Sequence, residues 1–192
     1  MISGLEILKT RTYNSTDVRK TLFSVARTVP TYEIELCTVE MGGINYVNGE
    51  AYPSEVGRIL VAHPGQRRYT KGHFECQFVH FICHDREFED KYLRPLPVSL
   101  RLCDETRAPH IFRAMTGAWA KREDGYELYC IGKLMELISA IYSAGKLLGS
   151  IDEKYRRFSH NIIIATEFMR ENFASPLTLN DIAMSAHISP SY

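Results

Sequence analysis

From Tyr32 to about His84 aromatic and β-branched residues are broken at short intervals by turn signals, and the pattern predicts short β-strands separated by turns. The turn signals are Gly42-Gly43, Asn48-Gly49, Gly57, Pro64-Gly65 and Lys71-Gly72. Their spacing predicts a sandwich or barrel. Asn48-Gly49 is the strongest of them, because asparagine and glycine both tolerate the positive φ of a tight hairpin turn, here pairing Ile44-Asn45-Tyr46-Val47 with Glu50-Ala51-Tyr52. The stretch from Gly57 to Gly65 reads as a buried strand closed by a Pro-Gly turn. From Phe74 to Phe81 the alternation puts Phe74, Cys76, Phe78 and His80 on one face and Glu75, Gln77, Val79 and Phe81 on the other.

Beyond Pro109 the period lengthens to that of a helix. Ile111, Phe112, Met115 and Trp119 share one face of a first helix, and Gly125 separates it from a longer one. There Leu128, Ile131, Met135, Ile138 and Tyr142 fall at 3-4-3-4 intervals, while Leu134, Leu137 and Ile141 widen the stripe. This helix is expected to pack on both sides, which suits an intramolecular core and a dimer contact equally. The segment from Gly145 to Tyr155 has the composition of an interdomain linker. Further helices are predicted to start at Ser159 and at Thr178. Thr178 is a good N-cap with Asp181 three residues on, and Leu179, Ile182, Ala183 and Ala186 continue an apolar face. Ser189-Pro190 then signals another helix start, after which only Ser191 and Tyr192 remain. Leu179, Ile182 and Ile188 are expected to expose apolar surface, leaving that tail poorly ordered or docked in a non-native way.

A chain of 192 residues with 45% hydrophobic content has room for one good-sized domain and an appendage. No apolar run reaches the length of a membrane span, and Glu6 and Lys9 break any signal-peptide pattern, so a cytoplasmic protein is expected. The 23 basic and 23 acidic residues balance, and leave no electrostatic footprint for a nucleic-acid backbone. The five cysteines are scattered, never form Cys-x-x-Cys, and read as reduced, mostly buried thiols. His80-x-x-Cys83-His84 is a local cluster without a second ligand pair, and its bland reading is a strand end with a surface histidine. There is no His-x-His, and of His63, His73, His80 and His84 only the last two sit at an even offset within one predicted strand. No metal, cofactor or catalytic residue is therefore assigned. Neither Gly-x-Ser-x-Gly nor a phosphate-cradling glycine loop occurs. The expectation is a non-enzyme.

The segment from Arg157 to Tyr192, with Leu177-Thr178-Leu179-Asn180-Asp181-Ile182-Ala183 and Ile188-Ser189-Pro190-Ser191-Tyr192, resembles the start of the DNA-binding domain of AraC-type (AraC/XylS) bacterial transcription regulators. In that family a recognition helix follows the Ser-Pro and a second helix-turn-helix follows that. The resemblance implies a fragment centred on the upstream domain, with Ser189 and Ser191 near DNA only in the intact protein. The strand before Pro64-Gly65, the Arg67-Arg68-Tyr69 segment and the aromatic strand to Phe81 resemble the family's cupin-like effector barrel. Where the family often has histidine before tyrosine, this chain has arginine.

The resemblance implies an α+β chain. Residues 1–102 would form a cupin-like β-barrel or jelly roll with an N-terminal arm, 103–149 a helical dimerisation segment, 150–157 a linker and 158–192 an incomplete helix-turn-helix. Carried over by position, the pocket residues are Arg27, Tyr69, Cys76 and Phe78. Arg68 and His80 join them as a neighbour in the turn and a member of the same strand face. Each has a plainer reading: Phe78 as barrel core, Cys76 as a small filler, Arg68 and Tyr69 as a surface pair. Arg27 and Arg68 have the fork geometry to hold a carboxylate or sugar phosphate, so an acidic metabolite competes with a neutral sugar as effector. The stripe Leu128, Ile131, Met135, Ile138 and Tyr142 would make a homodimer contact. The function implied is effector sensing and dimerisation in a regulator of carbohydrate or other small-metabolite genes, whose intact form binds operator DNA. A metal-dependent cupin enzyme and a ligand-free dimerisation scaffold are the alternatives.

Overall fold

The computed structural model describes residues 4–18, 20–173 and 176–186. Its elements in chain order begin with β1 (Leu5–Asn14), the short helix α1 (Ser15–Val18), β2 (Arg27–Thr28), β3 (Tyr32–Val47), β4 (Glu50–Pro53), β5 (Ile59–Ala62) and β6 (Arg67–Cys83). A single turn, α2 (Arg86–Phe88), runs into a π-helical turn (Glu89–Leu93), and β7 (Ser99–Leu100), α3 (Arg107–Lys121), α4 (Tyr126–Asn172) and α5 (Leu179–Ser185) follow. The chain divides into two compact units, Met1–Gly145 and Lys146–Tyr192. It is a mixed chain built on a seven-stranded antiparallel sheet, and none of its described helices is long and apolar enough to cross a membrane.

The sheet is organised by β3 and β6, which pair from Tyr32 opposite Phe81 to Val47 opposite Arg68. One end of this ribbon carries β1 beside β6, with β5 and then β7 beside β3; the other carries β2 beside β6 and β4 beside β3. The Asn48-Gly49 hairpin forms in the expected register, Val47 opposite Glu50, with φ of 50° and 90° at the two turn residues. Gly42-Gly43 and Lys71-Gly72, read from the sequence as turns, instead lie inside the two long strands. There β3 shifts register, and the paired strands approach closely enough that a Cβ on Gly72 would sit 2.5 Å from the Gly42 carbonyl oxygen. With φ of 71° at Gly42 and 77° at Gly72, glycine serves here to bend paired strands rather than to end them.

One face of the sheet is apolar and covered by helices. Ile34, Leu36, Val61, Val79 and Phe81 join Ile111, Phe112 and Met115 of α3 and Leu134, Leu137 and Ile141 of α4 in one buried cluster. Burial of this kind contributes about 1.5–3 kcal/mol per large side chain and dominates folding. The predicted helix pair is therefore part of the same core as the strands. Of the proposed dimer stripe, Ile138 is only 3% exposed and packs within this core, which removes it as a partner contact. Met135 and Tyr142 are half-buried against the core, Ile131 is half-buried, and Leu128 is exposed.

In the second unit the backbone of residues 150–157 is helical, and no new helix begins at Ser159, because α4 runs through both positions. Gly145 and Gly149 cost helix propensity without breaking the helix. The start of α5 follows the sequence reading: Thr178 accepts from the Asp181 backbone N–H while the Asp181 carboxylate accepts from the Thr178 N–H. Leu179 is exposed as expected, Ile182 is half-buried, and Ala183 and Ala186 are buried. Ile188, Ser189, Pro190 and Ser191 lie outside the described residues.

Candidate ligand-binding site

The opposite face of the sheet is polar and aromatic, and it encloses a cavity of about 250 Å³. The registers that change along the ribbon do so on β3 and β1, so β6 keeps its period of two and presents Arg68, Thr70, Phe74, Cys76, Phe78 and His80 to the same side. All six sequence-predicted residues, Arg27, Arg68, Tyr69, Cys76, Phe78 and His80, border this one cavity. Phe74, Cys76 and Phe78 form a small buried cluster of their own, with Tyr13 against it. Phe78 thus belongs to the cavity floor and not to the main core.

Arg68 departs most from expectation. It is neither a surface residue nor a free fork, since it is 4% exposed and both of its Nη groups are bonded internally. Its Nη1 and Nη2 donate to the two oxygens of Glu35 at 2.8 Å each, Nη1 also donates to Glu33 Oε2 at 2.8 Å, and Nη2 to Asn45 Oδ1 at 3.2 Å. Arg27 Nη2 donates to the same Glu33 oxygen at 2.7 Å. Burial alone would disfavour the charge on Arg68, but Glu35 and Glu33 more than offset it and hold the guanidinium protonated. Burial likewise works against Glu33, yet the Arg27 hydrogen bond and the Arg68 charge win and keep its carboxyl below the usual range. Tyr69, at the edge of the cavity, stacks its ring 4.6 Å from that of Tyr46.

Three further lining residues, Lys9, Arg11 and Tyr13, come from β1 and carried no site assignment from the sequence. Leu8 forms a bulge: Ile7 pairs with Phe81 but Lys9 pairs with His80, Arg11 with Phe78 and Tyr13 with Cys76. A bulge re-aims every side chain beyond it. Without it Lys9 would share the apolar face with Ile7; with it, Thr10 takes that face, buried and with no hydrogen-bond partner for its hydroxyl among the described residues. The Lys9 ammonium and the Arg11 guanidinium then lie 5.6 Å and 5.9 Å from the centre of the Phe78 ring. The signal in the sequence was the alternation Lys9-x-Arg11-x-Tyr13, beside an aromatic strand.

Glu33, Glu35 and His80 bring three possible metal-ligand atoms within 4.8 Å of one another. His80 Nδ1 is 3.8 Å from Glu33 Oε1. The Arg68 guanidinium already bonds both carboxylates, so a cation entering here would compete with a buried positive charge. His80, Cys83 and His84 do not converge: Cys83 turns to the Asp85 carbonyl and His84 pairs with Glu6 at 2.8 Å.

No family model matches the chain, and no curated protein matches it. Among solved structures, unsaturated fatty acid-bound wild-type ToxT from Vibrio cholerae strain SCE256 aligns with 97% of this chain and 68% of its own, at 10% identity and a TM-score of 0.36.

The site makes stability depend on pH. Burial pushes His80 down to about 4, with Glu33 opposing and Lys9 adding to the shift, and burial also lowers His63 against its bond to the Leu96 carbonyl. Both bind protons less readily folded than unfolded, where histidine titrates near about 6.5. Their stabilisation is complete above that value and is lost as pH falls toward 4, while the Glu33 contribution starts to be lost only below about 4.5, where an unfolded glutamate takes up its proton. Thermal unfolding followed from pH 8 to 4 is expected to show a melting temperature that is flat at first and declines below about pH 6.5. His80→Gln should shallow that decline without removing it. An unchanged slope in this variant would contradict the assignment.

Proposed function

We propose that this chain is the effector-sensing and dimerising part of a ligand-responsive transcription regulator of the AraC type, a cytoplasmic homodimer whose intact form binds operator DNA near genes for a carbohydrate or other small metabolite. The observation that carries the reading is the cavity itself: one face of β6, continued by β1 and β2, surrounds open space floored by Phe78 instead of filling it with side chains. The capped α5 helix, at the position where the Leu-Thr-Leu pattern resembles the family's DNA-binding domain, supports the regulator half of the reading. Leu128 and its half-buried neighbours on α4 remain the proposed dimer surface, with Ile138 excluded. Ligand binding would act by its different affinity for alternative arrangements of the regulator.

A thermal-shift screen of sugars, sugar acids and aromatic acids tests this. At least one class is expected to raise the melting temperature of the wild type, and Phe78→Ala should abolish the shift. Stabilising compounds indifferent to that substitution would sink the pocket assignment. The cluster of Glu33, Glu35 and His80 favours a second reading, a metal-dependent cupin enzyme. Stoichiometric iron, manganese or zinc in the purified protein would support it over the sensor.

A further inference from the structure

We propose that the cavity takes an organic anion, a small carboxylic acid with a flat apolar body, and that Lys9 and Arg11 hold its carboxylate while Phe78 meets the body. The inference rests on the effector-sensing reading and narrows the class of effector. The residues that most resembled an anion fork from the sequence are spent internally, Arg68 on Glu35 and Glu33, Arg27 on Glu33. Lys9, Arg11, Arg27 and Arg68 face only Glu33 and Glu35, which leaves two positive charges over, and neutral His80 adds none at pH 7.

Those two charges are on Lys9 and Arg11. Neither has a carboxylate within ion-pair distance among the described residues, and both are exposed, so their head groups are free to close on a ligand. Their recorded contacts are with the face of Phe78, an arrangement in which a planar acid would find cations at its head and an aromatic ring against its body. The Leu8 bulge sends both to this side at the cost of an unsatisfied Thr10 hydroxyl on the other.

A neutral sugar is the poorer fit. It could use the Tyr13 and Ser24 hydroxyls of the lining, but it would leave the Lys9 and Arg11 charges without a counter-charge, and both nearby carboxylates are held by arginine. Inorganic phosphate would leave the aromatic floor unused.

Calorimetric titration of the full chain at low salt, with benzoate and phenylacetate, their amides and inorganic phosphate, tests the assignment. The acids are expected to bind at least about tenfold more tightly than the amides or phosphate, as one charge-assisted contact implies. Added salt should weaken them. The double variant Lys9→Gln/Arg11→Gln should lose about tenfold or more for the acids, leave the amides unchanged, and keep the wild-type melting temperature, since both side chains are exposed. Acids and amides binding alike, phosphate binding as well as the acids, or an unaffected double variant would overturn the proposal. If the neutral amides bind and the acids do not, the anion assignment falls and the sensor reading stands. If neither acids nor amides bind, the anion assignment falls, and the sensor reading falls with it only when the thermal-shift screen also finds no stabilising compound.

Discussion

Arg68→Met is expected to destabilise the protein by about 3–5 kcal/mol, because it strips Glu35 of its partner and leaves Glu33 with Arg27 alone, both carboxylates being largely withdrawn from water. The Glu33 side chain is 1% exposed and that of Glu35 12%, and Arg68 supplies three hydrogen bonds to them. For a chain of this size the loss corresponds to a fall in melting temperature on the order of 10 °C. The penalty comes from uncompensated charge and not from lost volume, since methionine fills much of the space. The combination of Arg68→Met with Glu33→Gln and Glu35→Gln should therefore recover most of the loss, as replacing a whole buried ion group often does. Denaturant unfolding of the single and triple variants separates the two causes. A triple variant as unstable as the single one would mean that Arg68 acts through packing instead.

Phe81→Ala is expected to cost about 3–5 kcal/mol while leaving the cavity intact, and Phe78→Ala to do the reverse, costing less stability and removing the cavity floor. The residues lie three apart on one strand, and so on opposite faces. Phe81 is fully buried, stacked 5.4 Å from Tyr32 and surrounded by the helix-covered core. Phe78 has Cys76, Phe74 and the Tyr13 edge for neighbours and open space above it. Equilibrium unfolding of both variants checks the order. A Phe78→Ala variant less stable than Phe81→Ala would place the main core on the wrong side of the sheet.

That division between faces was legible in the sequence. The alternation from Phe74 to Phe81 separates cavity from core correctly, and the Asn48-Gly49 hairpin, the buried strand at Ile59 and the body of α3, though not its edges, follow from local rules. What was not legible depended on contacts distant in sequence. Gly42-Gly43 and Lys71-Gly72 look like turns because only their mutual pairing, about 30 residues apart, reveals that they bend a continuous ribbon. Ile138 looked available to a partner because a helical stripe does not say whether the sheet or a second chain covers it.

For the site, the six sequence-predicted residues do gather around one space, but their roles could not be read from type. Arginine beside a turn reads as a ligand fork until Glu33 and Glu35 are found next to it. A single extra residue, Leu8, decides which way Lys9 and Arg11 point, and nothing in the local pattern announces a bulge.

The most direct test of the account is a crystal structure of the chain with the compound that stabilises it most. That compound is expected against the Phe78 ring, between Lys9 and Arg11 on β1 and the Glu35 side of β3. A ligand seated elsewhere, for instance in the groove lined by Trp119 and Leu128, with only solvent above Phe78, would contradict it.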